Sequence, residues 1–303
     1  MLKEKLERIT DWEAPSLRED MPHGDMPGDK IKIGEEHIDK ATKIFPRLLE
    51  ILKEYEDRDK VVLSVFGGSG VGKSEIASLL AYYLNDSGIN AYVLSGDNYP
   101  RRIPLYNDAE RLSIFRSEGL KGLVASGAYT PEVQKTLDEL WANETDPDPA
   151  KAEEYPWLSV YQKAGRDALS GYLGTPKEQD YEQLNAILDA FKKGQEKICL
   201  KRMGRSEEER WYDVVDFSDT DVLIIEWTHG GNKDLHGVDI PILLNSTPEE
   251  TREHRRLRAR DGKTDSAFTT MVLEIEQAEL MERAKTAKII LSKGGDFLDP
   301  ETF

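Results

Sequence analysis

Gly67, Gly68, Ser69, Gly70, Val71, Gly72, Lys73 and Ser74 fit the spacing of a phosphate-binding loop, GxxxxGK followed by Ser or Thr. Glycines at these positions let backbone N–H groups turn inward around phosphate oxygens, and the helix that follows adds partial positive charge at its N-terminus. In such a loop Lys73 reaches the β and γ phosphates and Ser74 ligates magnesium, with Glu75 in the first helical turn behind them. ATP and Mg2+ are therefore the expected cofactors. The flanks agree with the motif. Val61 to Phe66 is an apolar, β-branched run that reads as a strand, and Ile76, Leu79, Leu80, Tyr83 and Leu84 recur at helical spacing between Glu75 and Asn85.

Two further strand ends carry acids. Ala91 to Leu94 reads as a buried strand, and Ser95, Gly96, Asp97, Asn98, Tyr99, Pro100, Arg101 and Arg102 follow it, at the edge where open α/β sheets bind ligands. Asp97 is placed to take the proton of an attacking hydroxyl or to ligate magnesium. Arg101 and Arg102 suit an anionic group on the acceptor, with Tyr99 beside them. Val222 to Glu226 is an apolar strand that delivers its terminal carboxylate to a metal-bound nucleotide, and the loop after it offers His229 as a substrate contact. A third cation-rich station begins at Thr247, Pro248, Glu249 and Glu250, which read as a capped helix start. Arg252, Arg255, Arg256, Arg258 and Arg260 lie within nine residues of an otherwise acidic chain. A lid over about residues 252–264 would bring Arg256 and Arg260 onto a transferring phosphoryl group, Arg258 onto the nucleotide and Arg255 onto the acceptor.

These stations need a scaffold that aligns strand ends. Strand candidates at Val61–Phe66, Ala91–Leu94, Ile198–Lys201, Val222–Glu226, Ile240–Leu244 and Ile289–Ser292 alternate with helical patterns, which predicts an α/β fold: a mostly parallel sheet flanked by helices. Residues 1–35, broken by Pro15, Pro22, Gly24, Pro27 and Gly28, read as an extended arm; an amphipathic helix from Glu36 to Glu56 follows, kinked at Pro46. The expected organisation is the arm and this helix over residues 1–58 and a phosphate-loop domain over 59–303, with a helical insertion at about 107–193 on the acceptor side. Tyr99, Tyr106, Trp157 and Tyr161 are the aromatic residues available there for ring stacking.

Composition narrows the partners. A net charge of −17 argues against a broad nucleic-acid or anionic-membrane surface, so polyanions must be met by local cations. The single cysteine, Cys199, excludes an internal disulfide framework and suits a reducing cytoplasm; no segment has the length to cross a bilayer. The expected partner is a small-molecule acceptor, with a homo-oligomer left open.

Taken together, Gly67 to Ser74, Asp97, Glu226 and Arg255 through Asp261 resemble the uridine kinase and phosphoribulokinase group of phosphate-loop kinases. The resemblance implies the phosphate-loop nucleoside triphosphate hydrolase fold over about 150 residues, an Asp97 that is base and metal neighbour, a Glu226 that contacts magnesium, and an arginine-rich lid. It implies phosphoryl transfer to the hydroxyl of a nucleoside, sugar or related metabolite. Gly96, Asp97, Asn98 and Arg101, with Asp108, Ala109, Glu110 and Arg111, are also similar to adenylylsulfate kinase, which makes that activity the alternative. In a different class, a nucleotide-binding regulatory or scaffold protein would keep the loop without transferring phosphate. A regulatory GTPase fits less well, because Asn232, Lys233, Asp234 lacks one residue of the guanine-recognition pattern.

Overall fold

Strand β1 (Val61–Gly67) is buried at every position, as expected of a central strand covered on both faces. The computed structural model describes residues 2–18, 20–258 and 266–300, the side chains at 257 and 258 excepted. In chain order the elements are α1 (Leu2–Leu6), α2 (Glu35–Lys53), β1, α3 (Lys73–Asp86), β2 (Ala91–Ser95), α4 (Pro104–Ser126), α5 (Pro131–Ala142), α6 (Pro149–Glu154), α7 (Leu158–Ser170) and α8 (Tyr181–Lys192). They continue with β3 (Lys197–Met203), β4 (Arg210–Asp216), β5 (Val222–Glu226), β6 (Ile240–Leu244), α9 (Arg252–Arg258), α10 (Ala267–Arg283), β7 (Ile289–Leu291) and β8 (Phe297–Leu298).

The main sheet has the order β2-β5-β1-β6-β7-β8, parallel except for β8, which runs against β7. Alternation along the strands divides the core. Val61, Leu63, Val65, Val222 and Ile224 face a layer built from Ile44, Phe45 and Leu48 of α2 and Ile76, Leu80 and Tyr83 of α3. Val62, Leu223 and Ile225 face the opposite layer, with Leu184, Leu188 and Phe191 of α8. Helices α4 to α7 gather around Phe115, Leu137, Leu158 and Tyr161, and Met271, Val272 and Ile275 of α10 close that cluster from the far end of the chain.

Four expectations need correction. Ile198–Lys201 does form a strand, but β3 pairs only with β4, as an antiparallel hairpin outside the parallel sheet, with the β4 side chains Trp211, Tyr212 and Val214 exposed. The arm is not a loose extension: Leu2 and Leu6 of α1 are buried, and Trp12 packs 4.5 Å from Phe45 and 5.2 Å from Tyr83, ring centroid to ring centroid. Thr247 and Glu250 do make reciprocal capping hydrogen bonds, at 2.7 Å and 3.2 Å, but they close a turn and the helix begins only at Arg252. Tyr161 is a core residue, its hydroxyl donating to Asp146 at 2.9 Å, so its ring is not available for stacking.

Candidate active site

The loop between β1 and α3 is shaped by backbone torsions that favour glycine. Gly70 and Gly72 have φ of +78° and +96°, and a Cβ on Gly67 would stand 2.4 Å from the Leu244 carbonyl oxygen of the adjacent strand. Gly72 is also crowded from outside: a Cβ there would lie 2.9 Å from His37 Cδ2, so α2 packs against the loop through His37. Lys73 Nζ donates to the Gly68 carbonyl at 3.0 Å, folding back over the loop.

The parallel register brings the acids to the loop. Ser95, the last residue of β2, pairs with Glu226, the last of β5, and Val65 of β1 pairs with Glu226 from the other side, so β2 and β5 end level while β1 runs on two residues into the loop. Glu226 is 3% exposed; it accepts from Ser74 Oγ at 3.0 Å through Oε2 and from Ser95 Oγ at 2.5 Å through Oε1. Burial, and next the negative charge of Asp97, push its carboxyl up to about 8. Asp97 is exposed, in a single 3-10 turn over Gly96–Asn98 that replaces any continuation of β2. Gly96 is required there because a Cβ would meet Trp227 Cγ at 2.1 Å. The oxygens of Ser74, Ser95 and Glu226 form a hard donor set of the kind magnesium takes, and that ion needs only one or two protein ligands beside phosphate and water. Among the described residues no group of three or more His, Cys, Asp or Glu side chains could hold a metal by itself.

A buried polar cluster that no sequence motif announced includes Glu276, which feels the charge of Asp97. Glu178, fully buried after α7, accepts from Arg111 Nε at 2.6 Å, Asn107 Nδ2 at 3.1 Å and the Gly174 amide at 2.7 Å. Arg111 also approaches Glu276 of α10 at 3.7 Å, and Arg283 pairs with Glu279 at 2.6 Å. Burial raises both α10 carboxyls, Glu279 to about 7, and the charge of Asp97 adds to the rise at Glu276. His229 belongs to this cluster: a Cβ on Gly174 would stand 2.8 Å from its Nδ1. It is 4% exposed, and its Nδ1 is buried without a hydrogen bond.

Burial depresses the His229 imidazole to about 3, despite the opposing pull of Glu178 and with the cations Arg283, Arg111 and Lys73 adding to the depression. The folded state therefore holds His229 neutral while the unfolded chain takes a proton below its ordinary 6.5, so stability is full above pH 6.5 and falls as the pH drops toward 3. Between pH 6.5 and 5 the loss expected from this one group is about 2 kcal/mol. Urea unfolding at the two pH values should show a smaller acid loss in His229→Asn than in the parent; equal losses would mean that His229 is protonated in the fold.

The remaining site expectations divide. Tyr99 is completely buried among Leu94, Tyr181 and Trp227, so it is a core residue and not an acceptor contact. Arg101 Nε donates to the Pro176 carbonyl at 2.7 Å, and Arg102 reaches Tyr172 Oη at 3.0 Å and Glu110 at 3.4 Å. Both arginines thus tie the Asp97 turn to the segment after α7. Arg255 donates to the Pro248 carbonyl at 2.8 Å and to Thr251 Oγ1 at 2.5 Å, beside Gly70, and Arg256 pairs with Glu253 at 3.1 Å on the exposed side of α9. Arg258 lies in α9 and its side chain, like Arg260 and the rest of the lid to residue 264, falls outside the described residues.

No protein-family model matches the chain. In sequence it is similar to the bifunctional alpha-galactosidase/sucrose kinase AgaSK of Mediterraneibacter gnavus, 38% identical over 252 residues, which are 82% of this chain and 22% of that protein. This chain therefore spans less than a quarter of its relative's length. In structure it is similar to D-glycerate 3-kinase from Cryptococcus neoformans, with a TM-score of 0.50 at 12% identity over 88% of this chain and 99% of that one. A possible uridine kinase from Bacillus stearothermophilus superposes with a TM-score of 0.47 at 16% identity, over 84% and 98% of the respective chains. By its glycine-shaped phosphate loop, its strand order and its likeness to D-glycerate 3-kinase, the chain has a phosphate-loop α/β fold of the kind that solved kinase shows.

Proposed function

We propose that the protein transfers the γ-phosphoryl group of ATP to a hydroxyl of a neutral, polyhydroxylated acceptor, a saccharide in the first instance. The observation that carries the acceptor class is the buried cluster of Glu178, Glu276 and Glu279 with Arg111 and an uncharged His229, which the charge of Asp97 reaches at Glu276. Buried carboxylates and a neutral imidazole accept and donate hydrogen bonds to hydroxyls, whereas an acidic lining repels a phosphate or sulfate ester. Arg101 and Arg102, the cations an anionic acceptor would use, are committed to Pro176, Tyr172 and Glu110, which disfavours the adenylylsulfate alternative. The sucrose kinase activity in the relative's name points the same way.

In this reading Lys73 and the loop amides hold the phosphates, while Ser74 and Glu226 hold magnesium. That ion would neutralise charge on the β and γ phosphates. A cleft of about 530 Å³ between α2 and the turn after β7, lined by Glu36, Lys40, Lys43, Lys293 and Gly295, is large enough for the nucleoside end. Asp97 orients the acceptor hydroxyl and takes its proton, and Arg255 of α9 stands beside the loop at Gly70. Residues 59–303 carry this chemistry, with α4 to α8 forming the acceptor side.

The test is ADP release from MgATP against sucrose, fructose, glucose, uridine, D-glycerate and adenylylsulfate, each beside an acceptor-free control. Stimulation of at least tenfold by a neutral saccharide and none by the anions is the expected result. Stimulation by uridine or an anion alone would overturn the acceptor class. Release indifferent to every acceptor would favour a nucleotide-binding role without transfer.

A further inference from the structure

The arm reaches the site from behind. Its course is fixed along α3, where Tyr82 Oη donates to the Ser16 carbonyl at 2.7 Å and Ser78 Oγ donates to the Pro22 carbonyl. It then turns under the ends of β2 and β5. Asp25, its side chain 9% exposed, accepts from the Ser95 amide at 2.8 Å, Asn98 Nδ2 at 2.9 Å, Tyr92 Oη at 3.0 Å and Arg202 Nη1 at 2.7 Å. A carboxylate with four donors is a built junction, since burial without them would force it neutral. Ser95 and Asn98 flank Asp97, and Ser95 Oγ is the donor to Glu226 Oε1. Gly24, one residue earlier, runs so close to Glu226 that a Cβ on it would lie 3.0 Å from Oε1 and 3.5 Å from Ser95 Cβ.

We infer that the arm is the outer shell of the metal side of the site: Asp25 fixes Ser95 and the turn that carries Asp97, and Gly24 leaves the space in which the Glu226 carboxylate is aimed at Ser74. The inference rests on the magnesium reading of Ser74 and Glu226 given above. Asp25 and Gly24 touch neither nucleotide nor acceptor in this arrangement, so they are positioning residues. Arg202 makes the device two-sided. It holds Asp25 from β3 and Asp213 of β4 at 3.0 Å, so the hairpin that stands outside the main sheet braces the arm against the site. Outer-shell partners of this kind are worth about 10- to 100-fold in metal affinity.

The experiment measures ATP affinity of the full chain by calorimetry, once with Mg2+ and once with EDTA. For the parent, Mg2+ should tighten binding. Gly24→Ala, which pushes on Glu226 Oε1, and Asp25→Asn, which keeps shape and loses charge, should each lose about tenfold of that tightening. Affinity in EDTA should stay within about twofold in both, a split that mere loosening of the fold would not produce. Folded variants that retain the full magnesium effect would overturn the inference, and Gly24→Ala alone decides if Asp25→Asn does not fold. A parent protein that binds ATP equally well with and without Mg2+ would instead overturn the magnesium reading itself, so the two failures are distinguishable.

Discussion

Asp97→Asn is expected to lower kcat by about 10²- to 10⁴-fold while leaving the KM for ATP nearly unchanged. The split follows from position. Asp97 sits on the exposed 3-10 turn, and its charge is felt by Glu226, on the side proposed for the metal, and by Glu276, on the side proposed for the acceptor. Asparagine preserves the shape of the turn and can still orient a hydroxyl, but it cannot take the proton. Asp25 and the Gly96 contact with Trp227 hold the turn independently of the Asp97 carboxylate, so the melting temperature should move by no more than a few degrees. Steady-state ADP release with the best acceptor decides the matter. Turnover like the parent's would remove Asp97 from the role of base, and a large rise in the KM for ATP would recast it as a metal ligand.

Lys73→Ala carries the second large effect. In the proposed mechanism Lys73 brings a full positive charge to the β and γ phosphates from within the loop, and preorganised donors at developing charge are worth about 10²- to 10³-fold each. Turnover should fall by at least that factor, with weaker ATP binding beside it. The loop itself should keep its form, because Gly67, Gly70 and Gly72 define its path and Lys73 contributes one hydrogen bond to the Gly68 carbonyl. Parent-like kcat in this variant would mean that phosphoryl transfer does not use the loop.

The sequence made visible what is local. Eight consecutive residues defined the phosphate loop, and the apolar runs before Asp97 and Glu226 placed both acids at strand ends because parallel strands buried on both faces read as continuous hydrophobic stretches. The misreadings share one cause. Ile198–Lys201 has strand character, yet period and propensity say nothing about partners, and its pairing with Arg210–Asp216 took it out of the sheet. Glu178, Glu276 and His229 come from three distant parts of the chain, so their meeting depended on how α4, α10 and the loop after β5 pack. The arm misled most: its prolines and glycines correctly forecast irregular backbone, but irregular backbone is not loose backbone once Trp12 and Asp25 are buried.

The pairing of β5 between β2 and β1 bears on how the protein is born. Ser74 and its carboxylate partner Glu226 are 152 positions apart, and β5 must insert between β2 and β1 before either acid can face the loop. A ribosome emits the phosphate loop before the strand that completes it. While β5 is still inside the exit tunnel, β1 and β2 have no mutual pairing to fall back on, and the growing chain lacks the pocket through which bound nucleotide could favour the native state. Nucleotide can therefore reward the finished fold but cannot guide the segments that precede β5.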